Sequence, residues 1–172
     1  MERRASIELR AKGRRLEGYA ALFDTATRIA DFEEIIVRGA FSASLRDKRD
    51  ILALADHDPR SVLARTKSGT LRLAEDSRGL AFDFDVPETS AGRDMLALAE
   101  RGDLGGASFG FTVPKGGEHW QGNRRELRAV NLAEISVVSS IPAYDGTTVQ
   151  ARAQQIALPP RLARARRWLD TL

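Results

Sequence analysis

The stretch GDLGGASFGF, residues 102–111, decides how this chain is interpreted. It contains four glycines, and Ser108 stands among small residues. Glycine weakens a strand interior and often marks a place where something approaches the backbone closely. Two interpretations follow: a β-bulge that requires only small residues, or a nucleophilic hydroxyl that requires room and nearby amide donors.

The elements predicted on either side of Ser108 limit the classes of serine hydrolase to which it could belong. The preceding segment, ETSAGRDMLALAERGD, predicts a helix with Ser90 as N-cap and Gly102 as its end. The following segment, residues 108–113, predicts a strand. Residues 106–110 satisfy the G-x-S-x-G expression, but that nucleophile elbow needs a strand before it and a helix after it. The order is reversed here, which excludes an α/β-hydrolase.

The rest of the chain favours short strands joined by tight turns. LAFDFDV, residues 80–86, alternates apolar and acidic side chains, as a half-buried strand does. Residues 41–45 predict a short helix, and AKGR, KSG and EDSRG mark turns. Further strands are predicted at residues 6–10, 15–23, 32–37, 51–55, 62–65, 70–74 and 126–139. We therefore expect a mainly β fold with helices (α+β), built as a barrel or a curled sheet.

Bulk composition excludes several classes of protein. Hydrophobic residues make up 42% of the 172, enough for the core of one domain. The absence of cysteine excludes disulfides, thiolate zinc sites and cysteine nucleophiles. We find no apolar run of transmembrane length, and the charged N-terminus lacks the apolar region of a secretory signal. We therefore expect no membrane association.

The basic charge is concentrated at one end of the chain. Residues 151–172 carry five arginines and one acidic residue, whereas the other 150 residues carry 22 basic and 23 acidic residues. Because the body is nearly neutral, we expect no direct nucleic-acid binding from it. We divide the chain into a domain at residues 1–150 and a basic linker with a helical tail at residues 151–172. In the tail, apolar residues fall on one helix side, opposite arginines.

The chain contains two histidines, so few residues can act as a general base. His57 ends an apolar strand in LADHDP, and its alternative interpretation is a turn residue that caps the strand. His119 lies in the polar segment GGEHWQGN, where we expect an exposed loop histidine. Neither the histidines nor the scattered acids show metal-ligand spacing, so we expect no metal and no cofactor.

Glu134 is the third candidate residue. It lies in LAEISVVS, residues 132–139, which is otherwise strongly apolar. Strand alternation places Glu134 on one face with Leu132, Ser136 and Val138. A carboxylate there either faces solvent or is paired in a semi-buried site.

In their order along the chain, these residues resemble those of the prohead (capsid maturation) proteases of tailed phages and gene-transfer-agent-like elements. The resemblance rests on the strand-end His57, on Ser108 in GGASFGF and on Glu134 in LAEISVVSSIPA. It extends to three further segments: GYAALFDT, EEIIVRGAF and LALADHDP. It covers residues 6–152, most of the chain.

The resemblance carries expectations about fold and mechanism. These proteases look like relatives of the herpesvirus assemblins, which implies a curled β-barrel surrounded by helices. By position, Ser108 becomes the nucleophile of a serine endopeptidase and His57 its base. Glu134 falls where assemblins place a second histidine, and a carboxylate can orient an imidazole there.

The resemblance also implies a substrate and a location. The substrate would be the scaffolding segment of the major capsid protein, and the protease would cleave itself as well. It would act inside the immature procapsid in the bacterial cytoplasm. Apart from the resemblance, a second copy of the chain, in a homodimer, is a candidate partner. The tail becomes either an encapsidation or self-cleavage segment, or a helix that is solvated or packs on the domain. The alternatives to a protease are a non-catalytic capsid- or scaffold-binding module on the same fold, and a small β-barrel interaction domain unrelated to phage.

Overall fold

The computed structural model describes residues 1–6 and 9–139, and the predicted tail at residues 151–172 lies outside them. The described residues form thirteen strands and two helices. The strands are β1 (Glu2–Ser6), β2 (Leu9–Lys12), β3 (Arg15–Leu22), β4 (Thr27–Ile29), β5 (Phe32–Ile36), β6 (Leu52–Ala55), β7 (Asp58–Arg65), β8 (Leu71–Glu75), β9 (Gly79–Asp85), β10 (Gly106–Thr112), β11 (Glu118–Gln121), β12 (Arg124–Leu127) and β13 (Asn131–Val138). The helices are α1 (Ser42–Arg46) and α2 (Ser90–Arg101).

The strands form three sheets. Their orders are β1-β10-β13-β6-β7, β11-β12-β5-β4 and β2-β3-β9-β8. The mainly β class is thus confirmed, but no closed barrel is found among the described residues. In the first sheet, β7 forms one edge and contains Pro59, which has no N–H to donate to a further strand. The two short helices also do not surround a barrel, so this part of the prediction is not supported.

The core lies between the sheets and follows from strand alternation. Phe82 and Phe84 of β9 are buried, while the aspartates between and after them turn outward. Phe109 and Phe111 of β10 enter the same apolar cluster. Burying one such side chain stabilises the fold by about 1.5–3 kcal/mol. The alternation read from the sequence thus places these aromatic rings correctly.

Several predicted boundaries need correction. The hairpin around Gly13 is present as β2 and β3, but the structure adds the separate strand β1 before it. The long strand expected at residues 126–139 is two strands, β12 and β13, which lie in different sheets. The chain breaks between them because Val130 donates its backbone N–H to Ala40 instead of continuing a ladder.

Helix α2 precedes the glycine-rich stretch, as predicted. Its N-cap is Thr89 rather than Ser90, because the Thr89 hydroxyl accepts from the Gly92 backbone N–H at 3.1 Å. Gly102 ends the helix in the left-handed conformation that glycine adopts without strain. Within the described residues, neither helix has the length and apolar character needed to cross a bilayer.

Candidate active site

Ser108 lies in the middle of β10, on the face opposite its two phenylalanines. Strand alternation sends Phe109 and Phe111 into the core and leaves Ser108 and Gly110 on the other face. The Ser108 residue is 3% exposed, so the hydroxyl is enclosed. A bulge does occur in this ladder, but it lies between Gly110 and Phe111 rather than at Ser108.

The neighbouring strand β13 supplies Glu134 to the same face. In the β10–β13 ladder Glu134 pairs with Gly110, and Ser136 pairs with Ser108. The Glu134 side chain lies over Gly110, where an added Cβ would stand 2.5 Å from its Oε1 atom. Glycine at 110 therefore makes room for the carboxylate. Glu134 is 4% exposed, so the semi-buried, paired alternative is the correct one.

His57 reaches Glu134 from the hairpin between β6 and β7. Asp56 and His57 form its two-residue turn, and both have positive φ, at 48° and 61°. Primed hairpin turns need this conformation, which favours glycine or asparagine over histidine. His57 Nδ1 lies 2.7 Å from Glu134 Oε1. The turn interpretation of His57 is thus correct, and the turn also aims the ring at the carboxylate.

On β13, Glu134 provides a carboxylate that accepts a hydrogen bond from His57, and Ser136 supports that carboxylate. Burial acts to raise the pKa of Glu134, but hydrogen bonds from His57 and Ser136 and the charges of His57 and Arg3 leave that pKa below its usual value. An ionised carboxylate only accepts hydrogen bonds, so His57 Nδ1 carries the hydrogen it shares. In the neutral imidazole with its hydrogen on Nδ1, the other ring nitrogen, Nε2, carries none and is the atom that can accept a proton.

Ser136 is a site residue to which the sequence assigned no role. Its buried hydroxyl donates to Glu134 Oε2 at 2.5 Å, which leaves Oε1 for His57. The sequence placed Ser136 on the face of Glu134, and a small polar residue two positions from a carboxylate in an apolar strand is the signal for this contact.

The Ser108 hydroxyl is engaged by β1. It donates to the backbone carbonyl of Arg4 at 2.7 Å. Strand β1 pairs antiparallel with β10, and Ala5 stands opposite Ser108. In the described part of the chain no hydrogen bond joins Ser108 to His57. The structure therefore pairs His57 with Glu134 and places Ser108 on the same sheet, in contact with the N-terminal strand.

A second buried charged group lies on the other side of β1, and we call it the Glu34–Arg125 cluster (Glu2, Arg4, Glu34 and Arg125). Glu34 is 2% exposed and accepts from Arg4 Nε at 2.5 Å and Arg125 at 3.0 Å. Arg125 also donates to Glu2 at 2.6 Å. The hydrogen bond to Glu2, with those to its other carboxylates, raises the pKa of Arg125 against the effect of its burial. Sequence analysis did not find this cluster.

His119 does not join the site. It lies on strand β11 rather than in a loop, in the second sheet, and is exposed as predicted. Across the described ranges, no group of three or more histidines, aspartates or glutamates is arranged to hold a metal ion.

A family model matches most of this chain. A family model described as Peptidase_S78, caudovirus prohead serine protease, matches residues 2–160. Among solved structures, the bacteriophage T4 capsid assembly protease, gp21, aligns with 81% of this chain and 100% of its own, at 13% identity and a TM-score of 0.49. A search of curated proteins finds no match.

Proposed function

The chain belongs to the caudovirus prohead serine protease family, and from that premise we propose that it cleaves the scaffolding segment of the major capsid protein during procapsid maturation. The observation that carries the proposal is the 2.7 Å contact between His57 and Glu134, on the same sheet as Ser108. A serine protease requires a nucleophile, a base and a group that orients the base. Ser108, His57 and Glu134 fill these roles.

The mechanism follows from the tautomer of His57. Its Nε2 takes the proton of the Ser108 hydroxyl as Oγ bonds to the carbonyl carbon of the scissile peptide. His57 then gives that proton to the leaving amine as the carbon–nitrogen bond breaks. Water, deprotonated by His57, attacks the acyl-enzyme, and the proton returns to Ser108. Glu134 stabilises the imidazolium in each half, and no cofactor takes part.

The family premise extends to partners and place. The proposed substrate is the scaffolding segment of the major capsid protein, and the chain also cleaves itself. The proposed form of self-association is a homodimer. The proposed location is the interior of the procapsid in the bacterial cytoplasm. The proposed protease domain is residues 1–150, and residues 151–172 form a tail that docks on the capsid or is removed. The relation to assemblins stays a prediction.

The competing function is a non-catalytic capsid- or scaffold-binding module on the same fold. A module of this kind has no requirement for a histidine strained in the left-handed region and held by a buried carboxylate. Strain of that type costs about 1–3 kcal/mol and clusters at functional sites. The conformation of His57 therefore favours the protease.

The test is cleavage of the major capsid protein co-expressed from the same genome. Ser108→Ala should abolish processing while thermal unfolding stays cooperative, because only one buried hydroxyl is lost. Ser68→Ala, at an exposed serine in the turn between β7 and β8, is the matched control and should process normally. Normal processing by Ser108→Ala would refute the nucleophile and favour the binding module.

A further inference from the structure

Strand β1 occupies the outer edge of the strand that carries Ser108. The inner edge of β10 is already paired with β13, so β1 holds the remaining row of backbone donors and acceptors. Proteins that bind extended peptides commonly add the peptide as a strand to such an edge. Any peptide that pairs with β10 in this way must take the place of β1.

The contact between β1 and Ser108 is made at a peptide bond. The Arg4 carbonyl that accepts from the Ser108 hydroxyl belongs to the bond between Arg4 and Ala5. Arg3 points to the same face as the site, with its Nε atom 3.5 Å from Glu134 Oε1. The chain thus passes the candidate nucleophile in an extended form, as a substrate must.

Alternate residues of β1 enter the Glu34–Arg125 cluster instead. Arg4 donates to both oxygens of Glu34, at 2.5 and 2.8 Å, and its guanidinium lies 5.5 Å from the Phe111 ring centroid. Glu2, two residues earlier, accepts from Arg125 at 2.6 and 2.9 Å. Without β1, Glu34 would lose the hydrogen bonds from Arg4, and Arg125 would lose those to Glu2.

Stability alone explains this arrangement poorly. Buried ion pairs are often no more stabilising than apolar side chains of similar volume. Glu34 and Arg125 still pair with each other without β1, but each charged residue that a docked chain lacks costs them a charge-assisted hydrogen bond, so chains without these charges bind more weakly. A charged cluster beneath a displaceable edge strand is therefore suited to selecting sequences.

We propose that β1 occupies the place of the substrate strand, and that Glu34 and Arg125 form a subsite that selects the sequence docked on β10. The subsite takes a basic side chain immediately before the bond that faces Ser108, and an acidic side chain two residues earlier. The inference rests on the proposed protease function. It adds to that function a substrate class, an acid-x-base segment in extended form.

The test measures peptide binding without turnover. The full chain carries Ser108→Ala, to block cleavage, with Glu2→Ala and Arg4→Ala, to weaken β1. The probe is the chain's own residues 1–8, MERRASIE, labelled at its C-terminus and followed by fluorescence anisotropy. Two altered peptides replace either the first glutamate, at position 2, or the second arginine, at position 4, by glutamine. A matched chain has Arg38→Ala, an exposed arginine paired with exposed Asp24, in place of the two β1 changes.

We expect the weakened chain to bind MERRASIE, and each glutamine peptide about tenfold more weakly, as charge-assisted hydrogen bonds to buried groups are lost. Adding Glu34→Gln should remove the preference for arginine, and the Arg38→Ala chain should bind far less of any peptide. Absent binding, or equal binding of the three peptides, overturns the subsite even if Glu34→Gln fails to fold. Binding is measured on chains that cannot cleave, so the two proposals fail separately. Selective binding by these chains, together with no capsid processing by the parent chain that retains Ser108, would refute the protease and leave the subsite standing.

Discussion

Glu134 and Glu34 are two buried carboxylates that accept hydrogen bonds from different types of side chain. Glu134 accepts from His57 and Ser136, whereas Glu34 accepts from Arg4 and Arg125. Histidine exchanges a proton near neutral pH, and arginine does not. The first carboxylate can therefore support proton transfer, and the second can only hold and select positive charge. Burial alone does not assign a role to an acid; its partner does.

The largest expected effect is the loss of the histidine from the first pair. His57→Ala should lower kcat/KM for capsid processing by about 10⁴-fold or more, as removal of the base does in serine proteases. His119→Ala, at the exposed histidine of β11, is the control and should retain activity. Quantitative gels of the processed product measure both. If His119→Ala inactivates the protein and His57→Ala does not, His119 is the base and our assignment of His57 is wrong.

The next effect concerns Glu134 itself. Glu134→Gln should lower kcat about 10³–10⁴-fold, because a neutral amide neither fixes the His57 tautomer nor stabilises the imidazolium. The pre-steady-state rate of acyl-enzyme formation measures this loss. A rate within threefold of the parent would mean that His57 works without the carboxylate and that the contrast with Glu34 has no catalytic meaning.

Breaking the second pair should act on stability. Arg125→Met leaves Glu34 and Glu2 with fewer positive partners, and removing one side of a buried pair costs about 3–5 kcal/mol. Because Glu2 is partly exposed and Arg4 remains on Glu34, we expect the lower end of that range. Urea unfolding measures it, with Arg38→Ala as an exposed control. A change below about 0.5 kcal/mol, as for a surface pair, would contradict the buried role.

Acid should remove the contribution that ionised Glu134 makes to the stability of the fold. The pKa of Glu134 is lower in the folded chain than its usual 4.5, so its contribution to stability is complete above about pH 4.5 and is lost as pH falls through the folded pKa. Urea unfolding between pH 3 and 6 should show this loss in the parent and a smaller one in Glu134→Gln. Identical pH profiles would exclude a lowered pKa at this residue.

The smallest effect tests the strained turn. His57→Gly and His57→Ala both remove the contact with Glu134, but only glycine relieves the left-handed backbone. We expect the glycine variant to be more stable than the alanine variant by about 1 kcal/mol. Thermal unfolding of the two proteins gives the difference. Equal stabilities would show that the turn does not strain the residue.

Local sequence patterns predicted several elements of the fold and the candidate residues around Glu134, but not the cluster around Glu34. Alternation in LAFDFDV and the glycine that ends α2 act over a few residues, so the sequence shows them directly. His57, Ser108 and Glu134 were singled out by their residue types and by their order along the chain, which resembles that of the prohead proteases, and their catalytic roles stay a prediction. Hydrogen bonds between side chains 30 and 91 residues apart, as in the Glu34–Arg125 cluster, leave no local pattern.

Two failures of prediction have the same physical origin. Strand β1, ERRAS, is charged and lacks apolar alternation, and its pairing with β10 supplies what its own sequence does not. The predicted barrel needed strands to close edge to edge, which depends on tilt and register across the whole sheet. Both features are set by long-range pairing rather than by propensity.

If a substrate docks on β10 as proposed, the position of β1 also has a consequence for when cleavage occurs. Only residues 7 and 8 separate β1 from β2, so β1 competes for β10 as a tethered ligand, with an effective concentration on the order of millimolar for short tethers. A separate substrate chain displaces β1 only when its own concentration approaches this effective concentration. Dilute proteins would be spared, and a substrate packed at high density would not. Crowding itself would then act as the trigger.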